Sequence, residues 1–353
     1  MSQPTITKLE KSRVEIKAVV PAATFDSYKQ KALESIGKVA KIDGFRPGHI
    51  PANVVEKHVG DAGILDEMAQ IAIMDAYPTI LTENKIDAIG RPEIQITKIA
   101  MGNDLEFTAT TAVLPTVELA DYKKIAKESN KSETEVSVDE TEINAALTEL
   151  RQMRAHNELH ELGVEHHDHD HTKISEESLP ELTDDFVKTL GKFEGIEDFK
   201  TKLRENLLKE KQAKEVEKKR VTLIDGIIDG STIDLPDILV DFELDKMMQQ
   251  FAHDISMMGM TMDDYMKRIE KSEADLKKDW YDNAVKRAKM QLILDEIATQ
   301  EKLAPTDEEI QAEVAKIMDM YKDAKDISED RARAYVMQIL TNAKAFEYLE
   351  GLK

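Results

Sequence analysis

Gly44-Phe45-Arg46-Pro47-Gly48-His49-Ile50-Pro51 packs two glycines, two prolines, an arginine and an aromatic ring into eight residues. Helical periodicity flanks it on both sides, so it reads as a loop. Proline restricts its own backbone and glycine carries no side chain, which makes such a loop stiff at some positions and bare at others. Phe45 and Arg46 are then pushed outward as a small contact tip. A plain turn between helices is the ordinary meaning of a Gly/Pro cluster. An outward Phe-Arg pair in so rigid a frame points to a contact surface instead, because aromatic rings and guanidinium groups are favoured anchors between proteins.

Upstream, 12–20 alternates with Val14, Ile16 and Ala18 on one side, which predicts a strand. Phe25, Tyr28, Ala32, Leu33, Ile36, Val39 and Ala40 recur at helical spacing, with Thr24 as the expected N-cap and Asp26 in the first turn. Downstream, Pro51 fits the first position of a helix that stops near Gly60, and a second helical stretch covers about 64–83. Residues 86–99 and 105–113 read as strands. An α+β domain over 1–114 follows. Residues 115–124 read as an extended linker. Ser137-Val138-Asp139-Glu140 opens a helix with Ile143, Leu147, Leu150 and Met153 along one face, so 115–155 holds the linker and the first helix of a second domain. A segment rich in His, Asp and Glu occupies 156–175. From there 176–353 is almost entirely helical, with breaks near 191–195, 230–236, 259, 305 and 326–328. The expected fold is therefore an α+β N-terminal domain followed by a mostly α-helical C-terminal domain.

The chain has 353 residues, a net charge of −22 and 33% charged residues, which suit two or three soluble domains and exclude a bulk nucleic-acid binder. The charge is uneven: residues 1–60 carry +4 and the other 293 carry −26. A basic head on an acidic body directs the head to an anionic surface. Absence of cysteine excludes disulfides and thiolate metal sites. The longest charge-free run, 107–117, is about half of what a membrane helix needs, and 1–7 lacks the apolar core of a signal peptide. A cytoplasmic protein without membrane contact is expected. No glycine-rich phosphate-binding motif occurs.

The octapeptide resembles Gly-Phe-Arg-x-Gly-Lys-x-Pro, the signature of the trigger factor family of bacterial ribosome-associated chaperones. Leu179-Pro180-Glu181-Leu182-Thr183-Asp184-Asp185-Phe186 resembles the segment with which that family re-enters its C-terminal domain. The likeness covers 1–154 and 176–353. It implies a helical body with two arms, formed here by 233–303 and 305–345, that holds nascent and unfolded polypeptides without ATP or covalent chemistry. It implies docking on protein and RNA of the large ribosomal subunit, at the polypeptide exit tunnel, through Gly44, Phe45, Arg46, Pro47, Gly48 and His49. It also implies a homodimer off the ribosome. His49 replaces the family lysine, and a neutral imidazole gives up one charge, so docking is expected to be weaker or more pH-dependent. Most family members insert an FKBP-like prolyl isomerase domain in the middle, whose pocket is lined by aromatic rings. Here about 24 residues separate Arg154 from Leu179, and no aromatic side chain other than histidine lies between Tyr122 and Phe186. No enzyme activity is expected, although residual isomerase activity is the competing reading.

Two further clusters stand out. Seven of the sixteen methionines fall between 247 and 266. Flexible thioethers adapt to unlike apolar partners, and Met257, Met258, Met260 and Met262 surround Gly259 at an expected turn, so these four are the candidate client contacts. A Met-filled helix core is the alternative. Trp280 reads as a packing anchor. His156, His160, His166, His167, His169 and His171 alternate with carboxylates and could hold Ni or Zn. The tract lacks a fixed ligand spacing, so a solvated linker with adventitious metal is the expectation, no cofactor is assigned, and a metal-binding protein is the second competing reading.

Overall fold

The computed structural model describes residues 3–42, 45, 49–131, 136–161 (side chains to 156), 179–320 and 328–353. Its strands are β1 (Thr5–Leu9), β2 (Arg13–Val20), β3 (Ala88–Lys98), β4 (Leu105–Val113), β5 (Val117–Glu118) and β6 (Thr232–Ile233). Its helices are α1 (Ala22–Asp26), α2 (Lys29–Val39), α3 (Ala52–Asn84), α4 (Tyr122–Asn130), α5 (Glu140–Glu161), α6 (Asp184–Leu190), α7 (Ile196–Gly230), α8 (Asp237–Met257), α9 (Met262–Ile269), α10 (Glu273–Glu301), α11 (Asp307–Met320) and α12 (Glu329–Glu350). The chain divides into two compact units, 1–120 with 230–345 and 121–229 with 346–353.

In the first unit an antiparallel sheet runs in the order β1-β2-β4-β3. Alternation along β2 buries Val14, Ile16, Ala18 and Val20 on one face, in register with Thr111, Ala109, Phe107 and Leu105 of β4. Ile64, Met68, Ala69, Ala72, Ile73, Ala76 and Ile80 of α3 close that face into one core. The expected strands and the long helix are therefore present. Thr24 does not cap its helix. Pro21 leads α1 instead, accepting the N–H groups of Thr24 and Phe25 at 2.9 Å, while Asp104 Oδ1 accepts that of Ala22 at 2.7 Å. With those donors satisfied, no hydroxyl cap is required. Pro51 also sits one position earlier than expected, as the N-cap of α3. The helix does not end at Gly60. It bends there, at φ 74° and ψ 171°, and continues to Asn84. A side chain is strongly disfavoured at such angles, so glycine absorbs the kink.

The stretch read as a linker is more ordered than the sequence implied. β5 pairs with β6, Val117 opposite Ile233, and Ser231 Oγ accepts the Ala120 N–H at 2.9 Å. Beyond β6, Val240, Leu244 and Ala284 join α8 and α10 with Leu235, Met247, Trp280 and Val285. Ile310, Val314, Ala332 and Val336 join α11 and α12.

The second unit is helical. Asp121 caps α4 by accepting the Lys124 N–H at 3.1 Å, so the helix begins inside the 115–124 stretch that had read as extended chain. Asp139 and Glu142 cap α5 reciprocally, each carboxylate accepting the other residue's N–H. Ile143, Leu147, Val187 and Phe199 form the core, with Phe193 edge-on to Phe199 at 4.9 Å. Met153 was expected on the same stripe but is exposed. At 3.6 residues per turn it points about 80° away from Ile143. Arg151 Nε donates to the Pro180 carbonyl at 2.7 Å, with Nη2 on that of Leu179. The 346–353 tail is held by Asn130, which donates to the Leu349 and Leu352 carbonyls, and by Arg220, paired with Glu350 at 2.5 Å.

Candidate functional site

Two surfaces of the first unit hold the residues singled out in the sequence. The first lies between α2 and α3. A methyl group added at Gly37 would sit in ordinary contact with Val55 Cγ2 at 3.6 Å, so α2 and α3 lie one side chain apart there. Lys29 Nζ pairs with Glu56 at 2.6 Å across them. Ala40 ends α2 through its N–H to the Ile36 carbonyl, and the Phe45 N–H reaches the Ile42 carbonyl at 3.1 Å. Ile50 packs on the core and anchors the far end of the loop. Phe45 is 41% exposed, and His49 is exposed as well. Gly44, Arg46, Pro47 and Gly48 lie outside the described residues. Val39, at the end of α2, is 79% exposed although its spacing placed it on the inward stripe. Its place in the last turn of α2 was the only signal that it lies at the surface.

The second surface is the turn from α8 to α9. Gly259 takes φ +77°, the Gly259 N–H bonds the Ser256 carbonyl at 2.9 Å, and the Met260 N–H bonds that of Ile255 at 3.2 Å. These two bonds are a Schellman ending, which needs the left-handed residue that glycine supplies. Thr261 restarts the chain by capping α9 on Asp264. Of the candidate methionines, Met257 is 77% and Met258 69% exposed, while Met260 and Met262 are half-buried. Met248 is buried, and Met247 packs against the same buried cluster as Trp280. The run therefore divides between core and surface. Trp280 is a packing anchor: Phe251 stands edge-on to it at 5.2 Å and to Tyr265 at 5.3 Å, joining α8, α9 and α10. The Ser272 hydroxyl and N–H hold the Asp275 carboxyl below its ordinary range and complete the capping box of α10. A groove of about 460 Å³ between α8 and α10, lined by Leu239, Phe242, Ala288 and Leu292, adds a second apolar surface. Phe242 lies off the buried stripe of Val240, Leu244 and Met248, a hint the sequence reading passed over.

His156 lies exposed on α5. The side chain of His160, and all of His166, His167, His169 and His171, lie outside the described residues. Among the described residues, no group of three or more His, Asp or Glu is arranged to hold a metal. No helix among them is long and apolar enough to cross a membrane.

Family models match both ends of the chain: that of the bacterial trigger factor protein over residues 2–150, and that of the trigger factor C-terminus over 195–350. The chain belongs to the trigger factor family. Membership places it among the ribosome-associated folding chaperones. It is 27% identical to the trigger factor of Halalkalibacterium halodurans, over 90% of each chain. It is 24% identical to that of Caldicellulosiruptor bescii, over 97% of this chain and 95% of that one. A solved chain from work on "Promiscuous Substrate Recognition in Folding and Assembly Activities of the Trigger Factor Chaperone" superposes with a TM-score of 0.50 at 16% identity, covering 99% of this chain and 100% of its own. That likeness supports the expected fold, mixed strand and helix at the N-terminal end and predominantly helical beyond it. The two family models leave only 151–194 between them.

Proposed function

We propose that this chain is an ATP-independent holding chaperone that docks at the ribosomal exit tunnel through 44–49. Nascent polypeptides are held on the apolar surface around Met257, Met258, Met260 and Met262. The observation that carries this reading is the match of both trigger factor models, one of which contains the exposed Phe45 and the other the exposed Met257 and Met258. Weak, multiple apolar contacts delay collapse and aggregation of a client, and adaptable thioethers suit clients of unlike sequence. The net charge of −22 favours a cytoplasmic setting. The homodimer off the ribosome belongs to the same reading. A photocrosslinker at position 258 is expected to label a ribosome-bound nascent chain, whereas one at the buried Ile297 is not. Equal labelling from both positions, or none from 258, would remove the Met turn from the client surface.

Chaperoning here proceeds without proline isomerisation. The 44 residues between the two family models are too few for an FKBP-like domain of roughly a hundred, since a proline pocket needs a concave, aromatic-lined enclosure. The purified protein is expected to leave cis–trans exchange of a short prolyl peptide at its uncatalysed rate, which is tens to hundreds of seconds. A concentration-dependent acceleration would restore the isomerase reading.

A further inference from the structure

The turn between β1 and β2 is built in an unusual way. Lys11 and Ser12 both adopt left-handed backbone angles, φ 59° and 44°, although neither is glycine. Residues with a Cβ resist that region, so surrounding contacts must hold them there. The backbone N–H groups of these two residues converge on one small concavity. Here the concavity is filled by the chain itself. The Lys11 N–H donates to Asp234 Oδ1 at 3.0 Å and the Ser12 N–H to Asp234 Oδ2 at 2.6 Å. The Ser12 hydroxyl donates to the Asp234 carbonyl at 2.6 Å, and Lys11 Nζ pairs with both oxygens of Asp237 at 2.8 Å. The Ser12 carbonyl accepts the Val113 N–H at 2.8 Å, tying the same turn to the end of β4. Asp237 raises the Lys11 amine above its ordinary range, which agrees with that pairing.

Asp234 stands at the root of α8, one residue after β6, and β6 pairs with β5 as the chain leaves the sheet. Close by, a methyl group at Gly90 would collide with Ile238 Cδ1 at 2.0 Å, so α8 begins directly on β3. We infer that Asp234 is a positioning residue that fastens the loop-bearing 1–120 segment to the methionine-bearing 230–345 segment as one rigid body. The inference rests on the proposed docking and holding roles for its consequence, but not for its geometry. A chaperone docked by one segment and holding clients with the other then needs Asp234 to keep the holding surface in a fixed direction.

Hydrogen exchange tests the geometry on the full chain. In Asp234→Ala, the Lys11 and Ser12 amides are expected to exchange about 10- to 100-fold faster than in the wild type, since each loses a charged acceptor. Asp234→Asn, which keeps the shape and one acceptor oxygen, is expected to fall between. Lys11→Gly enters the left-handed region without a Cβ and keeps its N–H, so the Ser12 amide is expected to stay slow. On ribosomes, Asp234→Ala is expected to co-sediment as the wild type does but to lose crosslinking from position 258. Purely structural damage would lower both together. Unchanged Lys11 and Ser12 exchange in Asp234→Ala, or faster exchange with undiminished crosslinking, would overturn the inference. Failure of the wild type to co-sediment would overturn the docking reading alone, and the exchange measurement would still decide the latch.

Discussion

Replacing Phe45, Arg46 and Pro47 together by alanine is expected to abolish co-sedimentation with ribosomes. A desolvated Phe side chain contributes about 1.5–3 kcal/mol. A guanidinium bonded to a carboxylate or phosphate adds about 1.5–3 kcal/mol. Losing the proline frees the loop and costs about 0.4–1 kcal/mol more, because its ordering must then be supplied on binding. Together these come to roughly 3.4–7 kcal/mol, or a loss of at least about 300-fold in Kd. Phe45 is already half-open to solvent, so the triple variant is expected to keep the wild-type circular dichroism spectrum and melting curve. Restoring Arg46 alone is expected to recover part of the binding and most of its salt dependence. Unchanged sedimentation of the triple variant would sink the docking assignment.

The largest expected loss of stability falls in the sheet. Phe107 is 1% exposed, in the middle of β4, opposite Ala18 on one side and Ile96 on the other. Phe107→Ala leaves a cavity under α3 that neighbouring backbone cannot fill, at a cost of about 3–5 kcal/mol. A urea titration followed by circular dichroism is expected to show a lower midpoint with an unchanged slope. Trp280 offers a second probe, because it is the chain's one tryptophan and belongs to the same unit. If Asp234 joins the two segments as inferred, Trp280 fluorescence shifts with the sheet signal. A loss below about 1 kcal/mol would mean that α3 does not seal this face.

Three of the four sheet strands and the 64–83 part of α3 were legible because each has a clean period, two along β2 and near 3.6 along 64–83, whereas β1 was not read. Helix ends were harder. Thr24 offered a good cap, but Pro21 and Asp104 satisfied the same donors from positions that no local window connects. Gly60 read as a stop, since a left-handed glycine ends many helices, and only tertiary packing of the residues beyond it shows a bend instead. The 115–124 stretch read as linker because β5 is two residues long and acquires meaning only from β6, more than a hundred residues later. The break between α2 and α3 was legible from the glycines and prolines of 44–51, whereas a docking role there came from the family resemblance and not from composition. The methionine run was legible as a cluster, but its division into buried Met248 and exposed Met257 depends on which way α8 faces. Asp234 carried no sequence signal, because its partners are two backbone N–H groups.

The grip of Arg151 on the Leu179 and Pro180 carbonyls has a consequence for the gene as well as the fold. It ties the middle of α5 to the point near Leu179 where the described chain resumes, so the fold itself holds together two positions that flank the intervening sequence. Loop-closure entropy grows only with the logarithm of length, so a fivefold longer insert would cost about 1–2 kcal/mol. A whole domain and a short polar tether are thus nearly interchangeable tenants of this position. By this estimate the helices that frame the position tolerate inserts of very different length.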